Sequence, residues 1–252
     1  MLQSMVAMSA VLLHHRAFRM SAIMPDPASI LAHYQALFEH TWADSLPVGR
    51  VRFVSFDSET TGLNPKRDAL VSLGAVAVQG GEILLDETFE AMLKVRYNNS
   101  MVVIHGITRE EALKGRDEDE ALLDFLNFLG DAVIVGHHIS YDVAMLDEAL
   151  YRHFGMTLRN RTLDTMDLTL HLERSGLLTA DGAQPDYSLD ALCARFGIPP
   201  HDRHTAHGDA FITAQIFLKL LRLATKAGRT TLGSVCEAYP LSGKTNAPFA
   251  PT

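Results

Sequence analysis

Two carboxylates stand two residues apart at the end of a segment otherwise suited to burial, and this pairing limits the possible folds more than any other feature. The segment runs Val51-Arg52-Phe53-Val54-Ser55-Phe56-Asp57-Ser58-Glu59 and leads into Thr60-Thr61-Gly62-Leu63. Val51, Phe53 and Ser55 alternate with Arg52, Val54 and Phe56, which reads as a strand buried largely on both faces. On such a strand Asp57 and Glu59 project to the same side. At about 4 Å and an effective dielectric near 20, two like charges repel by roughly 4 kcal/mol. A divalent cation with oxygen ligands is the usual offset. The Thr-Thr-Gly turn that follows lets backbone approach a ligand closely. Taken alone, an exposed acidic strand end accounts for the pair equally well.

The surrounding pattern predicts the rest of a sheet. Leu70 to Gln79 reads as a second strand, Gly80-Gly81 as a hairpin turn and Ile83 to Phe89 as the return strand. Glu118 to Leu129 is predicted helical, Ala132 to Val135 a short buried strand, Tyr141 to Phe154 a helix and Thr162 to Thr165 a fifth strand. Ser188 to Phe196, Thr205 to Leu223 and a short segment after Gly228 follow as helices. Three antiparallel strands followed by alternating helices and strands imply an α/β fold, a mixed sheet with helices on both faces. Upstream, Pro25 and Pro27 break the chain. Ala28 to Trp42 then has the spacing of an amphipathic helix that Pro47 and Gly49 end. The expected division is a poorly ordered extension (1–24), a leader helix (25–48), one catalytic domain (49–238) and a tail (239–252).

Composition narrows the function. The chain has 252 residues, 47% hydrophobic, with a formal net charge of -8. A protein that grips long duplex DNA by neutralising phosphates is usually basic. A nucleic-acid substrate would therefore be held over a few nucleotides, or with a partner's help. Cation-binding carboxylates also inflate the negative count. The two cysteines, Cys193 and Cys236, form no metal-binding pair and no disulfide framework; two thiols in a reducing cytoplasm are expected. No apolar run reaches the roughly 20 residues that span a bilayer, so no membrane partner is expected. Val6 to Leu13 is mostly apolar, but Arg16 and Arg19 follow it, whereas a signal peptide carries its positive charge first. A transit-like or membrane-touching segment is the alternative there, as is a start at Met20 or Met24.

Two further places hold candidate chemistry. In Gly136-His137-His138-Ile139-Ser140-Tyr141-Asp142 a buried strand ends and Asp142 opens a helix. An acid in a first turn is often there for the helix dipole alone. In His204-Thr205-Ala206-His207-Gly208-Asp209 a loop histidine precedes a helix whose Asp209 sits among Ala210, Phe211, Ile212 and Ala214. A lone acid on a packed face needs a partner. His201, His204 and His207 offer a competing zinc reading, although a loop containing Pro200 carries them.

Together, the Asp-x-Glu strand end, the Asp after a Gly-His turn and the His-x4-Asp helix entry resemble the DEDD exonuclease superfamily in its histidine-containing branch. That branch includes the proofreading epsilon subunit of bacterial DNA polymerase III. The resemblance spans about residues 50–225. It includes His105-Gly106-Ile107-Thr108, Leu163-Asp164-Thr165 and Tyr187-Ser188-Leu189-Asp190-Ala191-Leu192. The family's usual Asn after the first His is His138 here, and its usual Phe before the Asp is Tyr141.

The resemblance implies a ribonuclease H-like fold, with a five-stranded mixed sheet of three antiparallel and two parallel strands. It implies that Asp57, Glu59, Asp142 and Asp209 hold two Mg²⁺ or Mn²⁺ ions and that His204 is the general base. Thr60, Thr61, Gly62 and Leu63 would contact the terminal nucleotide, with His137, His138 and Tyr141 nearby. The implied activity is 3′→5′ hydrolysis at the 3′ end of single-stranded DNA, in replication proofreading or repair, with a DNA polymerase subunit as a candidate partner. A ribonuclease acting on short RNA or tRNA ends and a non-catalytic module of a replication complex are the rivals. Gln35-Ala36-Leu37-Phe38 faintly resembles a sliding-clamp ligand and reads better as one apolar helix face.

Overall fold

The computed structural model describes residues 26–40, 42–95, 114–180, 182 and 185–236. The strands are β1 (Phe53–Thr60), β2 (Leu70–Gln79), β3 (Glu82–Met92), β4 (Val133–Gly136) and β5 (Thr162–Asp164). They form one sheet in the order β3-β2-β1-β4-β5. β1 pairs antiparallel with β2, as does β2 with β3, while β4 runs parallel to β1 and to β5. This is the five-stranded mixed sheet that the sequence pattern and the resemblance imply. Gly80 and Gly81 both have positive φ (63° and 82°), which a two-residue hairpin of the primed type requires.

Among the described residues the α-helices are α1 (Pro27–Leu37), α2 (Glu118–Leu129), α3 (Ser140–Phe154), α4 (Thr165–Arg174), α5 (Leu189–Phe196), α6 (Ala206–Lys226) and α7 (Leu232–Cys236). Alternation along the strands divides the core between the two sides of the sheet. Phe53, Val76, Val133 and Val135 pack with Ile212, Ile216 and Phe217 of α6 and with residues of α4 and α5. Val54, Phe56, Leu73 and Ile134 pack with Phe125 and Leu126 of α2 and Met145 and Leu146 of α3. Helices therefore cover both faces. Among the described residues no helix is long and apolar enough to cross a membrane.

Within the segment read as a leader, α1 stops at Leu37, short of the expected Trp42. Tyr34 is buried with the α2–α3 core, and Phe38 sets its ring edge against it at 5.1 Å. Trp42 instead packs with the opposite core and donates its indole N–H to the Asp131 carbonyl at 2.7 Å. One continuous helix cannot serve both faces, so the chain turns between them. Leu37 and Phe38 are partly buried, in keeping with an apolar helix face. Residues 44–48 then clasp the start of α7: Val48 N–H reaches Thr230 O, and Leu232 and Gly233 N–H reach Leu46 O and Asp44 O, all at 2.9 Å. The cysteines are free; Cys193 is buried, and Cys236 is only partly so. The expected extension (1–24), the tail (239–252) and His105 to Thr108 lie outside the described residues.

Candidate active site

β1 ends in an irregularity. Asp57 pairs with Gly74 and Glu59 with Ser72, but Thr60 pairs with Leu70, so the register shifts between Glu59 and Thr60. Such a bulge at a strand end re-aims the side chains beyond it. Ser55 donates its hydroxyl to the Ala210 carbonyl at 2.7 Å, which binds β1 to the first turns of α6. By the strand's period of two, Asp57 and Glu59 share that side.

The N-terminus of α6 comes unusually close to the sheet. A Cβ on Gly74 would lie 2.2 Å from the Ala206 and His207 backbone, so only glycine admits this approach. Thr205 caps the helix by accepting the Gly208 N–H at 3.1 Å. A Cβ on Gly208 would fall 2.0 Å from the Asp202 carbonyl. Asp209 thus sits in a first turn, where the helix dipole favours an acid, directly against the β1 carboxylates.

Carboxylate oxygens of Asp57, Glu59 and Asp209 all lie within 4.8 Å of one another, the one group among the described residues with the geometry to hold a metal ion. Oδ2 of Asp209 accepts the His204 backbone N–H at 3.3 Å and pairs with Arg203. Oδ1 of Asp209 is buried and has no hydrogen-bond partner among the described residues. An unsatisfied buried acceptor costs about 1–3 kcal/mol, and a hard divalent cation in this all-oxygen set would remove that cost.

Asp142 reaches the same strand end from α3, on the other side of the sheet. The Ser58 amide and hydroxyl donate to its Oδ1 at 3.0 and 2.6 Å. Burial, then Asp142, Asp209 and Glu59, push Asp57 well above the usual carboxylate range, against the opposing charge of Arg203. Burial, then Asp209 and Asp142, push Glu59 up to about 7. Asp142 rises to about 6 through burial, with the Ser58 donors pulling the other way. Burial and mutual repulsion thus make the charged forms of these acids costly, a cost that a cation would lower.

The other expected residues are arranged less uniformly. His204 adopts a left-handed backbone (φ 63°), as does Asp202 (φ 54°). The side chain of His204 is exposed, and its backbone rather than its imidazole meets Asp209. Non-glycine residues held in this region are often found at functional sites. Tyr141 hydrogen-bonds Thr60 Oγ1 at 2.9 Å and donates to the Gly62 carbonyl. Thr61 donates to Asp68 Oδ1 at 3.2 Å. Leu63 stands 84% exposed at the tip of that turn. His137 turns away beneath the β4 end: its Nδ1 lies 2.9 Å from Thr165 Oγ1. Burial, then His138, lowers its imidazole to about 4. His138 is exposed with φ 58°. The zinc reading fails on geometry, because His201, His204 and His207 form no metal-binding group among the described residues.

Sequence reasoning missed Gly74, Ser58 and Arg203. A glycine inside an apolar strand signals a close approach, and that signal was available for Gly74. Arg203 carried none. It bridges Asp209 and Asp190, the latter at 2.6 Å. Asp190 lies on α5, which Ser188 caps. The Leu163-Asp164-Thr165 phrase is structural here: Asp164 accepts from Met166 N at 2.8 Å, capping α4, and from Ile139 N at 2.9 Å, fixing the turn before Asp142.

Comparison with known proteins agrees with this geometry. The family model described as "Exonuclease" matches residues 54–217, from β1 into α6. The chain belongs to this exonuclease family. It is 30% identical to the DNA polymerase III subunit epsilon of Aquifex aeolicus over 171 residues, covering 67% of this chain and 80% of the relative. It is 32% identical over 195 residues to DNA polymerase III PolC-type of Thermotoga maritima, covering 77% of this chain but 14% of that relative. E. coli Exonuclease I in complex with a dT13 oligonucleotide shares the fold, with TM-score 0.61 and 20% identity over 71% of this chain and 43% of that one. The exonuclease domain thus corresponds to a small part of the PolC-type relatives.

Proposed function

We propose that this exonuclease domain hydrolyses terminal phosphodiesters at the 3′ end of single-stranded DNA and releases nucleoside 5′-monophosphates, in replication proofreading or repair. The observation that carries the reading is the meeting of Asp57, Glu59 and Asp209 oxygens within 4.8 Å, with one buried Asp209 oxygen lacking a partner among the described residues. The polymerase III relatives support a replication setting, with a polymerase subunit as partner and a cytoplasmic location. The Exonuclease I complex with dT13 supports a single-stranded substrate.

On this reading Asp57, Glu59 and Asp209 hold one Mg²⁺ or Mn²⁺, and Asp142, fixed by Ser58, helps hold a second. The chemistry such a pair supplies is charge neutralisation at the phosphate and activation of water. Asp57 lies central to the set, since every other acid acts on it. His204, on the exposed rim, takes the proton from the attacking water. Thr60, Thr61, Gly62 and Leu63, stiffened by Tyr141 and Asp68, position the terminal nucleotide, with the exposed His138 as a further contact. Arg203 supplies a fixed positive charge beside Asp209.

A digestion panel varying strand number, sugar and metal tests this. Shortening of 3′ ends on single-stranded DNA with Mg²⁺ or Mn²⁺, stopped by chelator, is expected. No shortening of any strand with either metal overturns the reading, and preferential loss of RNA would transfer it to the ribonuclease alternative.

A further inference from the structure

The site lies beside a basic cleft in a protein of net charge -8. The cleft, about 260 Å³, is lined by Lys66, Arg67, Lys94 and Arg152, with Leu70 and Leu93 at its base. Its two acids are already engaged. Asp68 accepts from Thr61 Oγ1 and from Asn64 N at 3.2 and 2.8 Å. Glu118 pairs with Arg152 and His153, each at 2.7 Å. Lys94 faces Asp117 at 3.6 Å, an exposed pair that screening leaves weak. Lys66 and Arg67 are exposed and have no ion pair among the described residues.

The topology places this cleft at the same end of the sheet as the acids. Thr60 pairs with Leu70, and Leu93 N–H reaches the Val71 carbonyl at 2.8 Å. Neighbouring strands lie about 4.8 Å apart, so the cleft base is one to two strand spacings from the end of β1. Asp142 and Arg152 occupy the first and last turns of α3, on the order of 15 Å apart at 1.5 Å rise per residue. The turn carrying Leu63 joins the two sites and is held as a closed ring. Thr61 N reaches Ala69 O at 3.0 Å, and Asp68 N and Arg67 N reach Asn64 O at 2.8 and 2.9 Å. A strand whose 3′ end sits at the acids and leaves past Leu63 therefore meets four cations a few nucleotides upstream.

We propose that Lys66, Arg67, Lys94 and Arg152 form a binding site for the upstream phosphates of the single strand. The proposal rests on the exonuclease reading for its direction. It explains how an acidic protein holds a polyanion: the positive charge is gathered where the strand leaves. An acidic protein segment is the competing occupant.

The test uses the full chain and the double variant K66Q/R67Q, whose two side chains are exposed and support no packing. Binding of a fluorescent 12-nucleotide strand is read by anisotropy in chelator, from 50 to 200 mM salt. Turnover of a trinucleotide and of the 12-mer is read with Mg²⁺ or Mn²⁺. For single strands the salt slope is about 0.7 per phosphate contact, so losing two contacts flattens the slope by about 1.4. The native protein should then lose about sevenfold more affinity than the variant over that range. Trinucleotide turnover should stay unchanged, while the KM for the 12-mer rises. An unchanged slope, or equal losses on both lengths, overturns the cleft assignment even with turnover intact. Tighter binding of a poly-glutamate peptide of equal charge than of the strand, lost in the variant, overturns it in favour of the acidic protein segment. A slope flattened in the variant, beside a native protein that turns over nothing, upholds the cleft and sinks the exonuclease reading instead.

Discussion

Asp209 meets two demands at once. Its buried Oδ1 has no donor among the described residues, while Oδ2 is shared between Arg203 and the His204 amide. A carboxylate half satisfied by the protein is half reserved for a ligand. The neighbouring residues predict different losses. Asp57→Ala removes the group that the other acids surround. It should abolish activity together with divalent-ion binding, read by calorimetry. His204→Ala should lower the rate by roughly 10²–10⁴ while metal affinity is kept, because the exposed imidazole lies outside the carboxylate group. Equal loss of metal binding in both variants would remove the assigned difference in role.

At the scale of elements, the site depends on how closely α6 approaches β2. Gly74→Ala places a methyl 2.2 Å from the Ala206–His207 backbone, and backbone cannot yield as a flexible side chain does. A loss of about 1–3 kcal/mol in stability is expected, with weaker metal binding as Asp209 is pushed from Asp57. Denaturant titration and calorimetry would show both, and a variant with native metal affinity would count against the argument. The elements themselves were largely legible. β2 and α2 have the bounds that periodicity and turn residues predict, because β2 is a continuous apolar run and α2 an amphipathic one, each with clear punctuation at its ends. The early stop of α1 was not legible, since it follows from Trp42 crossing to the other core. At the site, the acids were marked by their cost on apolar elements. Arg203 was hidden because a charged loop residue costs nothing in the sequence, and only the fold shows what it faces. His137 reads like His138, yet burial against Thr165 separates them.

For the molecule as a whole, the acid cluster links stability to pH and, on the proposed reading, to metal. Burial and like charge raise Glu59 to about 7, so between the usual glutamate range and that value the folded protein binds more protons than the unfolded one. Without metal, this contribution to stability falls as pH rises through that window. Asp57 and Asp142 act in the same direction. His137, lowered to about 4, acts oppositely: folding keeps it neutral, and its contribution grows as pH rises above 4. The clean measurement is therefore the difference in melting temperature between metal-loaded and chelated protein, from which His137 cancels. That difference should widen from pH 5 to 7.5, and a constant gap would contradict the acids' assigned state. The carboxylates also come from strand β1, helix α3 and helix α6, three elements far apart along the chain and on opposite sides of the sheet. A ribosome must release the chain through α6 before these carboxylates can meet. On the proposed reading, a nascent chain stopped short of α6 has no cutting centre and leaves the nucleic acid around it intact.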